Sequence, residues 1–141
     1  MTVNQSVHVK RSLDDAFHLF VDEMGKWWPL HTGHYSYGGD RAKEIYLEPR
    51  LGGRFYERFK DGEEFVVGHV IACDRPNHIV FTWTAGEAGD TQVDVTFRTE
   101  NEGTRVGVEH RGLEKMGQMG QGFEDGWKEV LGYFGQAAGE G

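Results

Sequence analysis

The chain has 141 residues, a formal net charge of −8 at pH 7 and a single cysteine. This length fits one domain, the acidic balance argues against nucleic-acid binding, and a lone cysteine excludes an internal disulfide. No apolar stretch is long enough for a signal peptide or a membrane span. We therefore expect one cytoplasmic domain over residues 1–141, with no cofactor.

The N-terminal quarter of the chain predicts one strand followed by helical segments. Residues from Thr2 to Lys10 alternate between apolar and polar, which is typical of a strand. Ser12 is a candidate N-cap for a helix whose apolar residues recur from Leu13 to Met24, and Gly25 would end it. After a Trp-Trp-Pro segment, the stretch from His31 to Asp40 has no period and predicts a loop or a short irregular helix.

The middle of the chain predicts six more strands, separated by turn residues such as Asp-Gly and Pro-Asn pairs. In the last hairpin Val93, Val95 and Phe97 fall on one face, opposite polar residues, so one side of the sheet is expected to be covered. The six predicted strands are Lys43 to Glu48, Gly53 to Phe59, Glu64 to Cys73, His78 to Thr84, Thr91 to Thr99 and Thr104 to His110.

A C-terminal helix is predicted from Phe123 to Phe134, where apolar residues recur at helical spacing. Gly126, Gly132 and the following Gly135 each cost a helix about 1 kcal/mol relative to alanine, so the helix must be stabilised by packing on the sheet. The preceding stretch from Met116 to Gly122 is either an adaptable lid or a plain connector.

The order of elements and eight short motifs resemble bacterial stand-alone domains similar to the activator of the 90-kDa heat-shock protein ATPase, within the SRPBCC superfamily. That superfamily also contains lipid-transfer domains, pollen allergens and aromatic polyketide cyclases. The motifs are Trp27-Trp28-Pro29, Pro49 to Phe55, Asp61-Gly62, Gly68 to Val70, Phe81 to Trp83, Gly103 to Val106, His110 to Leu113 and Gly126-Trp127.

The resemblance implies an α+β fold of the helix-grip (START-like) type. In it, a seven-stranded curved antiparallel sheet wraps around a long C-terminal helix, with two short helices between the first and second strands. The resemblance also implies a hydrophobic cavity between the sheet and the long helix, whereas the ligands and activities of such proteins differ widely.

The candidate ligand-binding residues are those predicted to face the long helix from the sheet, together with the helix stripe itself. The alternative is that these side chains form a packed core with no ligand. The set is Trp28, Phe55, Glu57, Phe81, Trp83, Val95, Phe97, Val108, His110, Phe123, Trp127 and Leu131.

Two residues in this set are polar, Glu57 and His110, and they could form an acid/base pair or a polar anchor for a ligand headgroup. The alternative is a structural role, with the carboxylate neutralised by Arg54 or Arg58 and the histidine at a strand end.

Other reactive side chains give weaker signals. His31, His34 and His69 lack the spacing and the accompanying carboxylates of a metal site, so we expect no metal. The direction of His69 cannot be assigned, because its strand is apolar on both faces. Cys73 lies on the same strand and is expected to be an unreactive, buried thiol. No catalytic motif is present.

Three functions remain open. The first is binding of a hydrophobic or amphipathic small molecule, such as a lipid or an aromatic metabolite. The second is an enzyme of the cyclase or hydratase kind that uses the acid/base pair. The third is a chaperone-associated interaction domain. Trp27 and Trp28, with Tyr35 and Tyr37, would form either the rim of the cavity or a partner surface. A homodimer is also possible.

Overall fold

The computed structural model describes residues 2–85, 90–113 and 119–139, and all structural statements below concern these residues. In chain order the strands and longer helices are β1 (Val3–Val9), α1 (Leu13–Phe17), β2 (Ala42–Leu47), β3 (Arg54–Phe59), β4 (Glu64–Asp74), β5 (His78–Trp83), β6 (Thr91–Glu100), β7 (Gly103–Arg111) and α2 (Met119–Ala138).

The seven strands form one antiparallel sheet in the order β1-β7-β6-β5-β4-β3-β2. Consecutive strands from β2 to β7 are neighbours, and β1 joins beside β7, with Val7 opposite Val106. The helix-grip fold predicted from the sequence is confirmed, and each predicted strand lies within two residues of its observed bounds.

The sheet bends where its pairing register shifts. Both shifts leave an extra residue in β4, Val67 where it pairs with β3 and Ile71 where it pairs with β5. Such bulges bend a strand and increase its twist, which helps the sheet to curve. Gly68 lies beside the first shift, where a Cβ would sit only 1.7 Å from the carbonyl oxygen of Thr82. This close approach of two backbones requires glycine.

The helix predicted from Leu13 to Met24 is shorter in the structure, and turns of other kinds follow it. Ser12 does cap α1, since its Oγ accepts the amide of Asp15 at 3.2 Å. However, α1 ends at Phe17, one π turn follows at His18–Asp22, and Gly25 lies inside a 3₁₀ turn rather than ending a helix. The wider turn leaves the Leu19 carbonyl to accept the indole N–H of Trp27 at 2.9 Å.

Two further 3₁₀ turns, Leu30–Thr32 and Gly39–Arg41, lie in the stretch that was predicted to be irregular.

Helix α2 is longer than predicted at both ends, running from Met119 to Ala138. Residues 116–118 of the predicted connector lie outside the described residues, whereas Met119 to Gly122 belong to the first turn of α2. Within the described parts of the chain, neither helix has both the length and the apolar character that crossing a membrane requires.

One half of the space between the sheet and α2 is filled by aromatic rings. Phe134 of α2 packs against Phe20 and Trp27, with ring centroids 5.1 and 5.0 Å apart. Phe17 packs in turn on Phe97 of β6, at 5.0 Å. The two aromatic residues contributed by α1 and the following turn therefore close the gap beneath the C-terminal half of α2.

Candidate functional site

The other half of that space, beneath the N-terminal half of α2, contains a cavity of about 350 Å³ that is partly open to solvent. Its lining is mainly apolar and aromatic, and it comes from three parts of the fold: the 28–37 segment, strands β2 to β5, and α2. The lining residues are Trp28, His34, Tyr35, Ser36, Tyr37, Ile45, Phe55, Glu57, Val67, Trp83, Gly122, Phe123, Gly126, Trp127 and Val130.

Four aromatic side chains in this lining contact each other in a closed ring, and we call them the aromatic wall: Trp28, Phe55, Trp83 and Trp127. Trp28 meets Phe55 at 6.0 Å and Trp127 at 5.9 Å, measured between ring centroids. Trp83 meets Phe55 at 5.5 Å and Trp127 at 6.0 Å. All four contacts are edge-to-face, a favourable arrangement that fixes each ring with respect to its neighbours.

Residues 34–37 run along the cavity, and we call this segment the strap. The indole of Trp28 donates to the backbone carbonyl of Tyr35 at 2.8 Å, and the indole of Trp83 donates to the hydroxyl of Tyr37, also at 2.8 Å. The Tyr35 hydroxyl donates to Glu129 of α2 at 2.6 Å. Desolvation and this carboxylate together raise the pKa of Tyr35 to about 12. The strap is therefore tied to both the wall and the helix.

The carboxylate of Glu57 in β3 is the acidic group of the cavity, and it is only 1% exposed. Its two oxygens each accept one hydrogen bond from the strap, from the Ser36 hydroxyl at 2.5 Å and from the Tyr37 amide at 2.8 Å. The Ser36 hydroxyl also accepts a hydrogen bond from the Gly38 amide at 2.9 Å, so its own proton is the one donated to Glu57.

The suggestion that Arg54 or Arg58 neutralises Glu57 is wrong. Both arginines pair with Glu64 on the outer face of the sheet, at 3.0 and 2.9 Å. Positions 54 and 58 lie an odd number of residues from position 57, so strand alternation places their side chains on the opposite face. Among the described residues, no ion pair to Glu57 is found.

His110 of β7 is fully buried, and both of its ring nitrogens are occupied. Nδ1 accepts the indole N–H of Trp127 at 3.0 Å, so the ring proton lies on Nε2 and is donated to the Thr91 hydroxyl at 2.9 Å. The Thr91 hydroxyl donates onward to the carbonyl of Trp83 at 2.8 Å. Burial lowers the pKa of His110 to about 4. The imidazole is thus neutral at pH 7.

The structure separates the twelve predicted ligand-binding residues into two groups of six. The first group lines the cavity: Trp28, Phe55, Glu57, Trp83, Phe123 and Trp127. The second group is buried but does not line it: Phe81, Val95, Phe97, Val108, His110 and Leu131. The aromatic rings of α1 and the turn after it fill part of the predicted gap, and the His110 ring packs behind Trp83 at 5.5 Å.

Several lining residues were missed. Ile45 and Val67 lie on strands whose inward faces were not assigned, and Ser36 is a small polar residue in a segment without a period. Gly122 was assigned to the connector before the helix, and Gly126 was noted for its motif and its cost to the helix. An unexplained glycine in a helix is itself a signal of a close approach or an open space.

The hypothesis of a Trp27–Trp28 partner surface is also wrong, because these side chains are only 4% and 6% exposed and both donate hydrogen bonds to backbone carbonyls inside the protein. Aromatic bodies with an N–H partner inside the protein are core residues.

The remaining histidines and the cysteine lie away from the cavity lining, apart from His34 at its edge. His31, His34 and His69 are exposed, and no three potential metal ligands cluster among the residues that the structure describes. Cys73 is half-buried, and desolvation raises the pKa of its thiol, which disfavours the reactive thiolate.

Comparison with known families gives one match that covers nearly the whole chain. The family described as "Activator of Hsp90 ATPase homolog 1-like protein" matches residues 11–139. No curated protein matches the chain.

Three solved structures are similar over almost their full length. Protein MLL2253 from Mesorhizobium loti has a TM-score of 0.71 and 17% identity, with 96% of this chain and 95% of that chain covered. The Aha1 dimer from Colwellia psychrerythraea has a TM-score of 0.73 and 16% identity, with 98% of this chain and 96% of that chain covered. An anthrahydroquino-gamma-pyrone synthase, Txn09, complexed with SUM has a TM-score of 0.64 and 25% identity, with 96% of this chain and 95% of that chain covered. The first two likenesses concern the fold alone.

Proposed function

This chain belongs to the family of activator of Hsp90 ATPase homolog 1-like proteins, and from that premise we propose that it binds a hydrophobic small molecule in the cavity beneath α2. The family and the fold leave the ligand open, so the proposal depends on the cavity of this chain.

The observation that carries the proposal is the unfilled space itself. Protein interiors are close-packed, and voids larger than a water molecule are few. Here about 350 Å³ remains open between Trp28, Phe123 and Trp127, although the neighbouring half of the same gap is filled by rings. That volume lies in the range of small-molecule pockets, which are mostly apolar with a few polar groups. The aromatic wall and Glu57 fit this description.

The wall is also held in place before any ligand arrives. Three of its indoles donate hydrogen bonds inside the protein, to Tyr35, Tyr37 and His110. A preformed site avoids part of the cost of ordering side chains on binding. Because these rings are fixed without a ligand, the cavity should stay open when it is empty, which supports a binding role.

Calorimetric titration with naphthylmethanol, a neutral aromatic probe small enough for the cavity, tests the proposal. We expect saturable binding at one site per chain, with a negative heat-capacity change because apolar surface is buried. Absence of saturable binding up to about 1 mM, equivalent to roughly 4 kcal/mol, would contradict the proposal.

An enzyme of the cyclase kind is supported less well. The similarity to a synthase at 25% identity favours it, and Glu57 faces the cavity as such an enzyme would need. However, His110 does not line the cavity and uses both nitrogens in internal hydrogen bonds, so the predicted acid/base pair lacks one partner at this site.

A further inference from the structure

We propose that the cavity selects hydrophobic molecules that carry a protonated amine, and that Glu57 receives the ammonium group. This inference rests on the proposed function, because it names the chemical class of the molecule bound at the same site.

The first argument is the charge of the lining. Glu57 supplies its acidic group, and none of the described lining residues is a lysine or an arginine. The nearest arginines in sequence, Arg54 and Arg58, are held on the outer face by Glu64. A buried carboxylate without a cation is unfavourable, and a positively charged ligand would relieve that cost. A ligand cation therefore gains more here than it would at the surface.

The second argument is the unused hydrogen-bonding capacity of the carboxylate. Each oxygen of Glu57 accepts one hydrogen bond from the strap, whereas a carboxylate can accept about four in total. An ammonium group brings three donors and no acceptor. Its hydrogen bonds to Glu57 would also carry the attraction between opposite charges, which a neutral hydroxyl lacks.

The third argument is the aromatic wall. Aromatic rings attract cations through their negatively charged faces, tryptophan most strongly, and three of the four wall residues are tryptophans. The combination of several rings with one carboxylate resembles the general design of ammonium-binding aromatic cages. The same surface accepts the apolar body of the ligand, so the two parts of an aromatic or aliphatic amine are both accommodated.

The same features act against anions. A ligand carboxylate or phosphate would meet the Glu57 carboxylate at short range, and the whole chain carries a formal charge of −8 that repels it at long range. Fatty acids and anionic lipids are therefore predicted to bind poorly, although their apolar parts would fit.

Three probes of nearly equal shape separate these effects in calorimetric titrations at pH 7: naphthylmethylamine, naphthylmethanol and naphthoate. We expect the amine to bind about tenfold more tightly than the alcohol, and the alcohol more tightly than the carboxylate. If the alcohol or the carboxylate binds as tightly as the amine, the inference is overturned while the proposed function stands. If none of the three binds, the proposed function itself has failed.

The Glu57→Gln variant tests the assignment of the ammonium to Glu57. Glutamine keeps the shape and one acceptor oxygen but removes the charge, so the amine and the alcohol should then bind within about threefold of each other. Glu64→Gln is the matched control, because its carboxylate lies on the outer face with the two arginines, and it should keep the preference for the amine. An unchanged preference in a folded Glu57→Gln variant would overturn the assignment. If that variant does not fold, the wild-type probe series still decides.

Discussion

The indole N–H of Trp127 donates to Nδ1 of His110 at 3.0 Å. This hydrogen bond links a ring of the aromatic wall to the buried hydrogen bonds that run from His110 through Thr91 to the carbonyl of Trp83. Because Nδ1 is the acceptor, the imidazole must be neutral with its proton on Nε2. Protonation of His110 would place two N–H groups against each other. The orientation of Trp127 in the wall thus depends on the charge of a residue that does not itself line the cavity.

A first prediction concerns acid stability. The pKa of His110 is about 4 in the folded protein against 6.5 for an ordinary histidine, because burial disfavours the charged ring. As the pH falls below 6.5, the unfolded chain therefore takes up this proton first, and the folded state loses about 3 kcal/mol relative to the unfolded state by pH 4. Above pH 6.5 the group has no effect. Denaturant titrations across this range measure the loss.

The control is His110→Gln, which has no titrating group at this position. Its free energy of unfolding should fall less between pH 6.5 and pH 4 than that of the wild type, by about the same 3 kcal/mol. Parallel pH profiles for the two proteins would show that the charge of His110 is unimportant.

A second prediction tests the next member of the hydrogen-bond chain. Thr91→Val keeps the shape of the side chain but leaves the Nε2 proton of His110 and the carbonyl of Trp83 without a buried partner. We expect a loss of about 1–3 kcal/mol of unfolding free energy. Thr96→Val, at an exposed position of the same strand, should stay within about 0.5 kcal/mol of the wild type. Equal effects in the two variants would contradict a role for Thr91.

The fold could be predicted from sequence because its signals are local and repeated. Strand alternation from Val93 to Phe97 and the helical stripe from Phe123 to Phe134 each identify a buried face, and two such faces must pack together. The first helix was predicted too long, because the π turn at His18–Asp22 keeps the same apolar spacing while widening the backbone. Apolar periodicity alone does not distinguish these two kinds of turn.

Half of the twelve predicted ligand-binding residues do not line the cavity, because the sequence of one strand does not show which part of the space beside it is filled by other elements. Phe97 and Trp83 both face inward, yet Phe17 and Phe20 cover the first and leave the second at the cavity. The alternation of apolar residues along β6 does not show that Phe97 is covered by these two rings. Glu57 was found because a polar residue on an apolar face is visible in the sequence, whereas its partner Ser36 lies in a segment with no period.

A third prediction concerns the strap and the rate at which a ligand leaves. The ring of Tyr37 stacks on Phe65 at 4.9 Å, and its hydroxyl accepts the indole N–H of Trp83. Tyr37→Ala removes both contacts and exposes this edge of the cavity. We expect the dissociation rate of bound naphthylmethylamine to rise about tenfold or more in stopped-flow measurements, because binding changes act mainly on dissociation.

The matched control for Tyr37→Ala is Tyr46→Ala on β2. Tyr46 packs on Tyr56 at 5.3 Å, and neither residue lines the cavity, so the dissociation rate should stay close to the wild-type value. A similar acceleration in both variants would indicate general loosening of the fold rather than opening at the strap.

A fourth prediction uses the glycines of α2 to fill the cavity without weakening the helix. Gly126 lines the cavity, and a Cβ there would lie 3.4 Å from Cε1 of Tyr35, which is ordinary contact. Gly126→Leu places a branched apolar side chain at the cavity lining and removes a helix cost of up to about 1 kcal/mol. Stability should therefore be kept or improved, while the affinity for naphthylmethanol and naphthylmethylamine falls at least about tenfold because their space is occupied.

Gly132→Leu on the same helix separates occupancy of the cavity from any change in the helix itself. A Cβ at position 132 would have nothing within 4 Å, and this residue does not line the cavity. The variant should gain the same helix propensity and keep wild-type affinity. If both leucine variants bind alike, then the probes occupy some other surface. If only Gly126→Leu loses affinity while its unfolding free energy is maintained, the space beneath the N-terminal half of α2 is the binding site, since a destabilised fold could not account for the loss.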